Sequence, residues 1–280
     1  MVSPGMDLRR GRRPGRARGV RDGVRPVGQH GLRGRDAAGL PSHEGADRWL
    51  RSRLCLCKFL SVRALIVEDQ GMFRDLLAKV LESDFGYENI MAVGTGAEAL
   101  DALTKESFDL LILDIDLPDT DGFAIAEKAC RLEDPPLILG MSAYCDEYMV
   151  HRIMESSMNG FIDKSEQSVE TLRAAIDTVC GGNYYFTEPV MRVRRALRED
   201  PRAFPKYLTP RECQALTLIG SGMSDEQVAE AFGVTVATAK WHRKQIMRKL
   251  GMHTSRELMV FAVQKGFVRR TGGNAVYPVS

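Results

Sequence analysis

Short apolar runs alternate with longer stretches of helical period from Ala64 onward. The apolar runs lie at 64–67, 89–93, 109–113, 137–140 and 160–162. Between and after them, apolar positions recur at helical spacing over 71–82, 96–104, 122–131, 146–156 and 168–179. Leu110-Leu111-Ile112-Leu113 has no polar interruption. A continuous run of that length suits a parallel strand covered on both faces. Five strand–helix repeats predict an α/β fold, a five-stranded doubly wound parallel sheet with right-handed crossovers. In such sheets ligands gather beyond the carboxyl ends of the strands. From Leu208 to about residue 266 the period is helical throughout, which predicts a second, all-α unit of four helices.

The stretches between these patterns set the expected boundaries. Gly181-Gly182 ends the fifth helix of the first domain, taken as 62–182. Residues 183–206 contain Pro189, Pro201 and Pro205 and read as a linker with room for one short helix. The helical unit is placed at 207–268, followed by a tail at 269–280. Residues 1–61 are rich in Arg and Gly with no period of either kind. Such a segment buries too little apolar surface to offset its ordering entropy, so it is expected to be disordered. An over-extended gene start is a second expectation for it, since Val62-Arg63-Ala64-Leu65-Ile66-Val67 has the look of a domain beginning.

Charge sharpens this division. The 280-residue chain carries a net +2, but residues 1–60 hold +9, residues 61–185 hold −15 and residues 186–280 hold +8. An acidic middle suits a cation and a basic end suits a polyanion. The six cysteines form no CxxC pair and no zinc-spaced cluster with histidine, which fits a reducing, cytoplasmic compartment. No apolar run approaches the ~20 residues that span a bilayer, so no membrane role is expected.

The expected strand ends collect the polar residues. The first strand leads into Glu68-Asp69, the third into Asp114, the fourth into Ser142, and the fifth precedes Lys164. Converging carboxylates repel and raise one another's pKa unless a cation intervenes. Mg2+ is the fitting ion, a hard cation that takes carboxylate and carbonyl oxygens. Asp114 is then placed as a nucleophile toward phosphorus, with Lys164 stabilising charge on the phosphoryl oxygens. The Ser142 hydroxyl is positioned to follow the new phosphate, and Phe161 to change rotamer as the loop shifts.

This segment resembles the receiver domain of two-component response regulators over about 62–180. The resemblance is carried by Glu68-Asp69, Leu111-Ile112-Leu113-Asp114-Ile115-Asp116-Leu117-Pro118, Asp121-Gly122, Met141-Ser142-Ala143 and Phe161-Ile162-Asp163-Lys164. It implies Asp114 as phosphoacceptor, with Asp69 and Asp114 holding Mg2+ through carboxylates. Glu68 would act through water and Asp116 through its backbone carbonyl. Ser142 and Phe161 would be switch residues, and Lys164 would contact the phosphoryl group. Asp114-Ile115-Asp116 is also a DxD after an apolar strand, as in haloacid-dehalogenase-like phosphatases. That family carries its DxD on the first strand, however, and usually follows it with Thr or Val rather than Leu117.

The basic end carries helix punctuation. Thr209-Pro210 with Glu212 forms a capping box with Pro at the first helical position. Ser224-Asp225-Glu226-Gln227 forms a second box, and Gly233 ends that short helix. Thr235 opens the next helix, about 236–249, after a single intervening residue. Two helices joined so tightly predict a helix-turn-helix. In the second, Val236, Ala239, Ile246 and Leu250 share a face, while Lys240, Trp241, Arg243, Lys244, Arg248 and Lys249 lie elsewhere.

The segment is similar to the LuxR/NarL-type DNA-binding domain through Leu208-Thr209-Pro210-Arg211-Glu212, Gly222-Met223-Ser224, Val228-Ala229, Gly233-Val234, Thr238-Ala239-Lys240-Trp241-His242 and Met247-Arg248-Lys249-Leu250-Gly251. Ala239 stands where the family usually has Val. The resemblance implies that Lys240, Trp241 and Lys244 approach bases, while Thr238, His242, Arg248 and Lys249 meet phosphates or buttress the helix. Trp241 has an equal alternative as an aromatic packed on the linker.

Together the two resemblances imply a response regulator, not an enzyme. It would bind double-stranded DNA under control of Asp114 phosphorylation, with a histidine kinase as phosphodonor. A homodimer is expected when phosphorylated or DNA-bound, and helix 255–265 is a candidate for its contact. A receiver serving only as a dimerisation module, without phosphorylation, stays open at this point.

Overall fold

Buried strands that read as uniformly apolar nevertheless alternate between two faces. In the computed structural model, which describes residues 62–166, 168–270 and 276–278, Leu111 and Leu113 of strand β3 (Leu110–Asp114) pack on one side of the sheet, and Leu110 and Ile112 on the other. All four are fully buried. β1 (Arg63–Val67) does the same, with Leu65 and Val67 opposite Ala64 and Ile66. The leader expected at 1–61 lies outside the described residues.

The remaining elements of this domain follow in chain order: α1 (Gly71–Phe85), β2 (Asn89–Val93), α2 (Gly96–Lys105), then β3, α3 (Gly122–Cys130), β4 (Leu137–Ser142), α4 (Glu147–Glu155), β5 (Gly160–Asp163) and α5 (Val169–Cys180). Every strand pairing in the sheet is parallel, and the strand order is 2-1-3-4-5 before one addition. The order reverses between β1 and β3. Glu68-Asp69 and Asp114 therefore face one crevice.

The expected five-strand count requires correction. Tyr185–Phe186 forms β6, which pairs in parallel with Gly160 and Phe161 of β5, giving a six-stranded sheet. Two residues between Gly182 and Pro189 are too few to show a period. The stretch read as linker carries a twelve-residue helix, α6 (Glu188–Glu199), which buries Val190 and packs Val193 and Leu197 onto the receiver side. α1 runs past the expected end to Gly86, whose φ of 67° closes it with a left-handed cap.

The second domain contains α7 (Pro210–Gly220), α8 (Asp225–Phe232), α9 (Val236–Leu250) and α10 (Ser255–Gln264). Both expected capping boxes form, at Thr209/Glu212 and Ser224/Gln227, and Thr254/Glu257 adds a third. Beyond these helices, β7 (Val268–Arg270) pairs antiparallel with β8 (Val276–Pro278), across the stretch read as a tail. Among the described residues no helix is long and apolar enough to cross a membrane.

Candidate functional site

The acidic crevice is assembled by register. Asp114 at the end of β3 pairs with Met141 of β4, which puts Ser142 one residue beyond it, and Ser142 pairs with Asp163 of β5, one residue before Lys164. The Asp114 carboxylate is 2% exposed and Glu68 is fully buried. Oxygens of Glu68, Asp69 and Asp114 lie within 4.8 Å of one another. Asp69 is exposed at the mouth. The Lys164 ammonium lies 2.7 Å from both Glu68 and Asp114, and reaches them past the Phe73 ring.

Electrostatics in the crevice follow from burial. Burial raises the Asp114 carboxyl above its ordinary value, and the nearby Lys164 charge only partly offsets this. Burial likewise raises Glu68, aided by Asp114 and opposed by Lys164. Burial pulls Lys164 down, but Asp114 and Glu68 together hold it above its ordinary value. Two carboxylates therefore share one ammonium, an arrangement with room for further positive charge. Three oxygen-bearing side chains, one of them solvent-facing, form a donor set that fits Mg2+.

The loops beyond the strands are tied to this pair. Asp114 Oδ1 accepts the Asp116 amide at 3.0 Å. The Ser142 hydroxyl donates to Asp116 Oδ2, and Ser142 Oγ accepts the Tyr144 amide at 3.0 Å. Phe161 is fully buried, its ring packed over Gly140. Gly122 admits no side chain, because an added Cβ would sit 2.6 Å from Ile115 Cα and 2.7 Å from the Asp114 carbonyl oxygen. It sets how closely α3 approaches the end of β3.

The helix-turn-helix is held by ion pairs that spacing alone does not reveal. Arg243 bridges α9 to the start of α8, donating to Asp225 at 2.7 Å and to the Met223 carbonyl at 3.2 Å. Ala239 and Ile246 are fully buried under α9. Lys240, Trp241, Lys244 and Arg248 are exposed, and a groove lined by Lys240, Arg243, Lys244 and Arg248 runs along the helix. Trp241 is 55% exposed, with its ring against His242. His242 also meets the Phe232 ring edge-on, and its buried Nδ1 has no hydrogen-bond partner among the described residues. Thr238 shares a hydroxyl contact with the helix cap Thr235 at 2.9 Å. Lys249 turns away from this surface to Glu212 at 2.6 Å.

One site residue escaped the sequence reading altogether. Arg269, on β7 of the second domain, pairs with the Asp116 carboxylate and places its guanidinium 4.0 Å over the Tyr144 ring. It lies 153 positions from Asp116, in a stretch read as tail, and no local signal marks it.

Comparisons agree with both halves of this geometry. The family model for the response regulator receiver domain matches residues 64–177. The model for bacterial regulatory proteins of the luxR family matches residues 206–262. The transcriptional regulatory protein MctR of Rhizobium johnstonii is 32% identical over 75% of this chain and 97% of its own length. The response regulator protein VraR of Staphylococcus epidermidis is 24% identical over 75% of this chain and all of its own. A solved structure of RcsB from Salmonella enterica serovar Typhimurium, 19% identical, covers 72% of this chain and 98% of that one with a TM-score of 0.50, a likeness of fold. The chain belongs to the response regulators, joining a receiver domain to a luxR-family DNA-binding domain as a transcriptional regulator rather than an enzyme.

Proposed function

We propose that Asp114 is the phosphoacceptor and that its phosphorylation controls the DNA-binding domain. The observation that carries this reading is the buried Asp114 carboxylate, 2.7 Å from Lys164, at the C-terminal end of the central strand β3. The phosphodonor is a histidine kinase. An Asp114 carboxylate oxygen attacks phosphorus, a new P–O bond forms, and the P–N bond to the kinase imidazole breaks. The electron pair leaves with the imidazole, which takes a proton. Lys164 neutralises charge on the phosphoryl oxygens.

Glu68, Asp69 and Asp114, with the Asp116 backbone carbonyl, would hold Mg2+. When bound, the ion screens the clustered carboxylates and offsets charge on the phosphoryl group. Ser142 and Phe161 respond to the new phosphate. On DNA, Lys240, Trp241 and Lys244 face base edges of a double-stranded site, and Thr238 and Arg248 face phosphates. His242 and Lys249 support the helix from behind. A homodimer would read two half-sites, and the protein would act in the cytoplasm. RcsB has been solved on promoter DNA in the presence of a phosphomimetic, which is consistent with this reading.

The test is DNA binding by the full chain at fixed salt, with sites selected from genomic fragments. Binding is measured with and without beryllofluoride plus Mg2+, in wild type and Asp114→Ala. Tighter specific binding after treatment, abolished by Asp114→Ala, is the expected result. Specific binding indifferent to both would leave a DNA-binding regulator whose receiver is not a phospho-switch.

A further inference from the structure

Among the described residues, four threonines open helices with the hydroxyl turned into their own first turn. Thr95, Thr209, Thr235 and Thr254 each accept the amide three residues on. Thr187 opens α6 with the same extended backbone, at a φ of −63° and a ψ of 156°, but makes no such bond. Its hydroxyl turns the other way, to β5, and accepts the Asp163 amide at 3.3 Å. Both residues are buried. A helix whose cap side chain bonds elsewhere forgoes part of its stabilisation. The Thr187 hydroxyl is thus spent outside its own helix.

Strand register explains the exchange. β6 runs parallel to β5 with Phe186 beside Phe161, and the Thr187 amide donates to the Phe161 carbonyl at 3.3 Å. One more step of a parallel ladder would bring the Thr187 carbonyl to the Asp163 amide. The chain has turned into α6 by then, and that carbonyl accepts the Met191 amide instead. The hydroxyl takes the carbonyl's place. Without it, the Asp163 amide would be buried with no acceptor on this side. The side chain therefore carries the outer edge of β5 one hydrogen bond further, to the residue directly before Lys164.

The consequence falls on Lys164. Asp163 pairs with Ser142 of β4 on its inner side and is held by Thr187 on its outer side. Its Oδ1 also accepts the Ser165 amide at 2.8 Å. The chain is thus fixed on both sides of Lys164, whose ammonium arrives 2.7 Å from Glu68 and Asp114. A lysine is a point charge on a flexible four-carbon stem, so its aim depends on where its backbone is held. Thr187 is itself anchored, because α6 buries Val190 completely two positions into the helix.

We propose that Thr187 is a positioning residue for phosphoryl transfer: its hydroxyl fixes the end of β5 and so sets where Lys164 meets the phosphoryl group. The stretch after Gly182 then serves the chemistry of the crevice as well as joining the two domains. This rests on the reading of Asp114 as phosphoacceptor and of Lys164 as the contact to its phosphoryl group.

The experiment uses the full chain as wild type, Thr187→Val and Thr187→Ser. Valine keeps the shape of the side chain and removes the acceptor, while serine keeps the hydroxyl. Label uptake from radiolabelled acetyl phosphate is followed across donor concentrations with Mg2+. Beryllofluoride binding is titrated by fluorine NMR, and exchange of the Asp163 amide is measured by NMR without phosphodonor. Thr187→Val is expected to lower the maximal uptake rate on the order of tenfold. The half-saturating donor concentration should stay the same, since Lys164 acts on charge that is strongest during transfer. The same variant should bind beryllofluoride more weakly and exchange the Asp163 amide faster. Thr187→Ser is expected to restore all three readouts. Wild-type uptake in Thr187→Val overturns the proposal. Equal losses in both variants also overturn it, because packing of the methyl group would then be responsible. A changed half-saturating concentration at an unchanged maximal rate overturns it too, since donor binding rather than Lys164 would be affected. An unprotected Asp163 amide in wild type overturns it without recourse to any variant. Label that survives Asp114→Asn defeats the phosphoacceptor reading and this proposal with it. Label lost in Asp114→Asn, beside wild-type uptake in Thr187→Val, overturns the proposal alone.

Discussion

The Lys249 ammonium lies 2.6 Å from the Glu212 carboxylate, joining the end of α9 to the first turn of α7. Glu212 is 4% exposed and also accepts the Thr209 amide at 2.8 Å, so the same side chain caps α7 and anchors α9. Lys249 thus differs in kind from Lys240 and Lys244, which stand exposed on the same helix. Lys249→Ala leaves a buried carboxylate without its cation and is expected to lower the melting temperature. Lys240→Ala and Lys244→Ala are expected to leave melting unchanged. Each of these two should weaken specific DNA binding by about 1–3 kcal/mol and relax specificity at the base it reads. Thermal melts beside DNA titrations at several salt concentrations separate the two behaviours.

Lys164 serves two buried carboxylates at once, with its own side chain only 7% exposed. Removing one partner of a buried ion pair costs about 3–5 kcal/mol. Lys164→Met is therefore expected to destabilise the metal-free protein strongly and to lose phosphoryl uptake. Added Mg2+ should restore much of the stability, because the ion replaces the missing charge, while leaving uptake impaired. Urea unfolding with and without Mg2+ reads the first effect, and labelling with acetyl phosphate reads the second. Stability that Mg2+ does not restore would count against a cation site at Glu68, Asp69 and Asp114.

Gly122→Ala tests the spacing between β3 and α3. The added methyl would meet backbone atoms at 2.6 and 2.7 Å, and backbone has little freedom to retreat. Overpacking of this kind costs about 1–3 kcal/mol. The variant is expected to melt lower and to phosphorylate more slowly, since the Asp114 carbonyl is one of the atoms displaced. An unchanged melting curve would mean the turn can open without disturbing the strand end.

His151 on α4 meets the ring of Phe204 edge-on, with centroids 5.4 Å apart. Burial lowers its pKa below the ordinary imidazole value of 6.5, and the Glu155 charge offsets this only in part. The folded protein therefore binds fewer protons here than the unfolded chain does. Its stability is complete above about pH 6.5 and falls as pH drops through the window between that value and the lowered folded pKa. His151→Gln is expected to flatten this part of the stability–pH curve between pH 5 and 7. Parallel slopes for variant and wild type in thermal melts would assign the acid sensitivity to other groups.

Much of this protein was legible in one dimension because its signals are local. A four-residue apolar run suits a strand buried on both faces, and its repetition in alternation with helical stretches made Leu110–Leu113 part of a parallel sheet, which located the crevice. Capping chemistry acts over three residues, so Thr209/Glu212 and Ser224/Gln227 marked helix starts before any packing was known. Glu68, Asp69, Asp114, Ser142 and Lys164 could be grouped from the sequence because each stands at or just past a strand end, and parallel strands end together.

Tertiary structure alone decided the rest, wherever the partner lies far along the chain or the element is too short to show a period. Tyr185–Phe186 becomes a strand only because β5 offers an open edge. Lys249 and Lys244 look alike in sequence, and the position of Glu212 on another helix separates them. Arg269 carries no local mark, yet it reaches Asp116 across 153 positions. Charge pairing and close packing depend on distance in space, which sequence spacing encodes only within a turn or a strand.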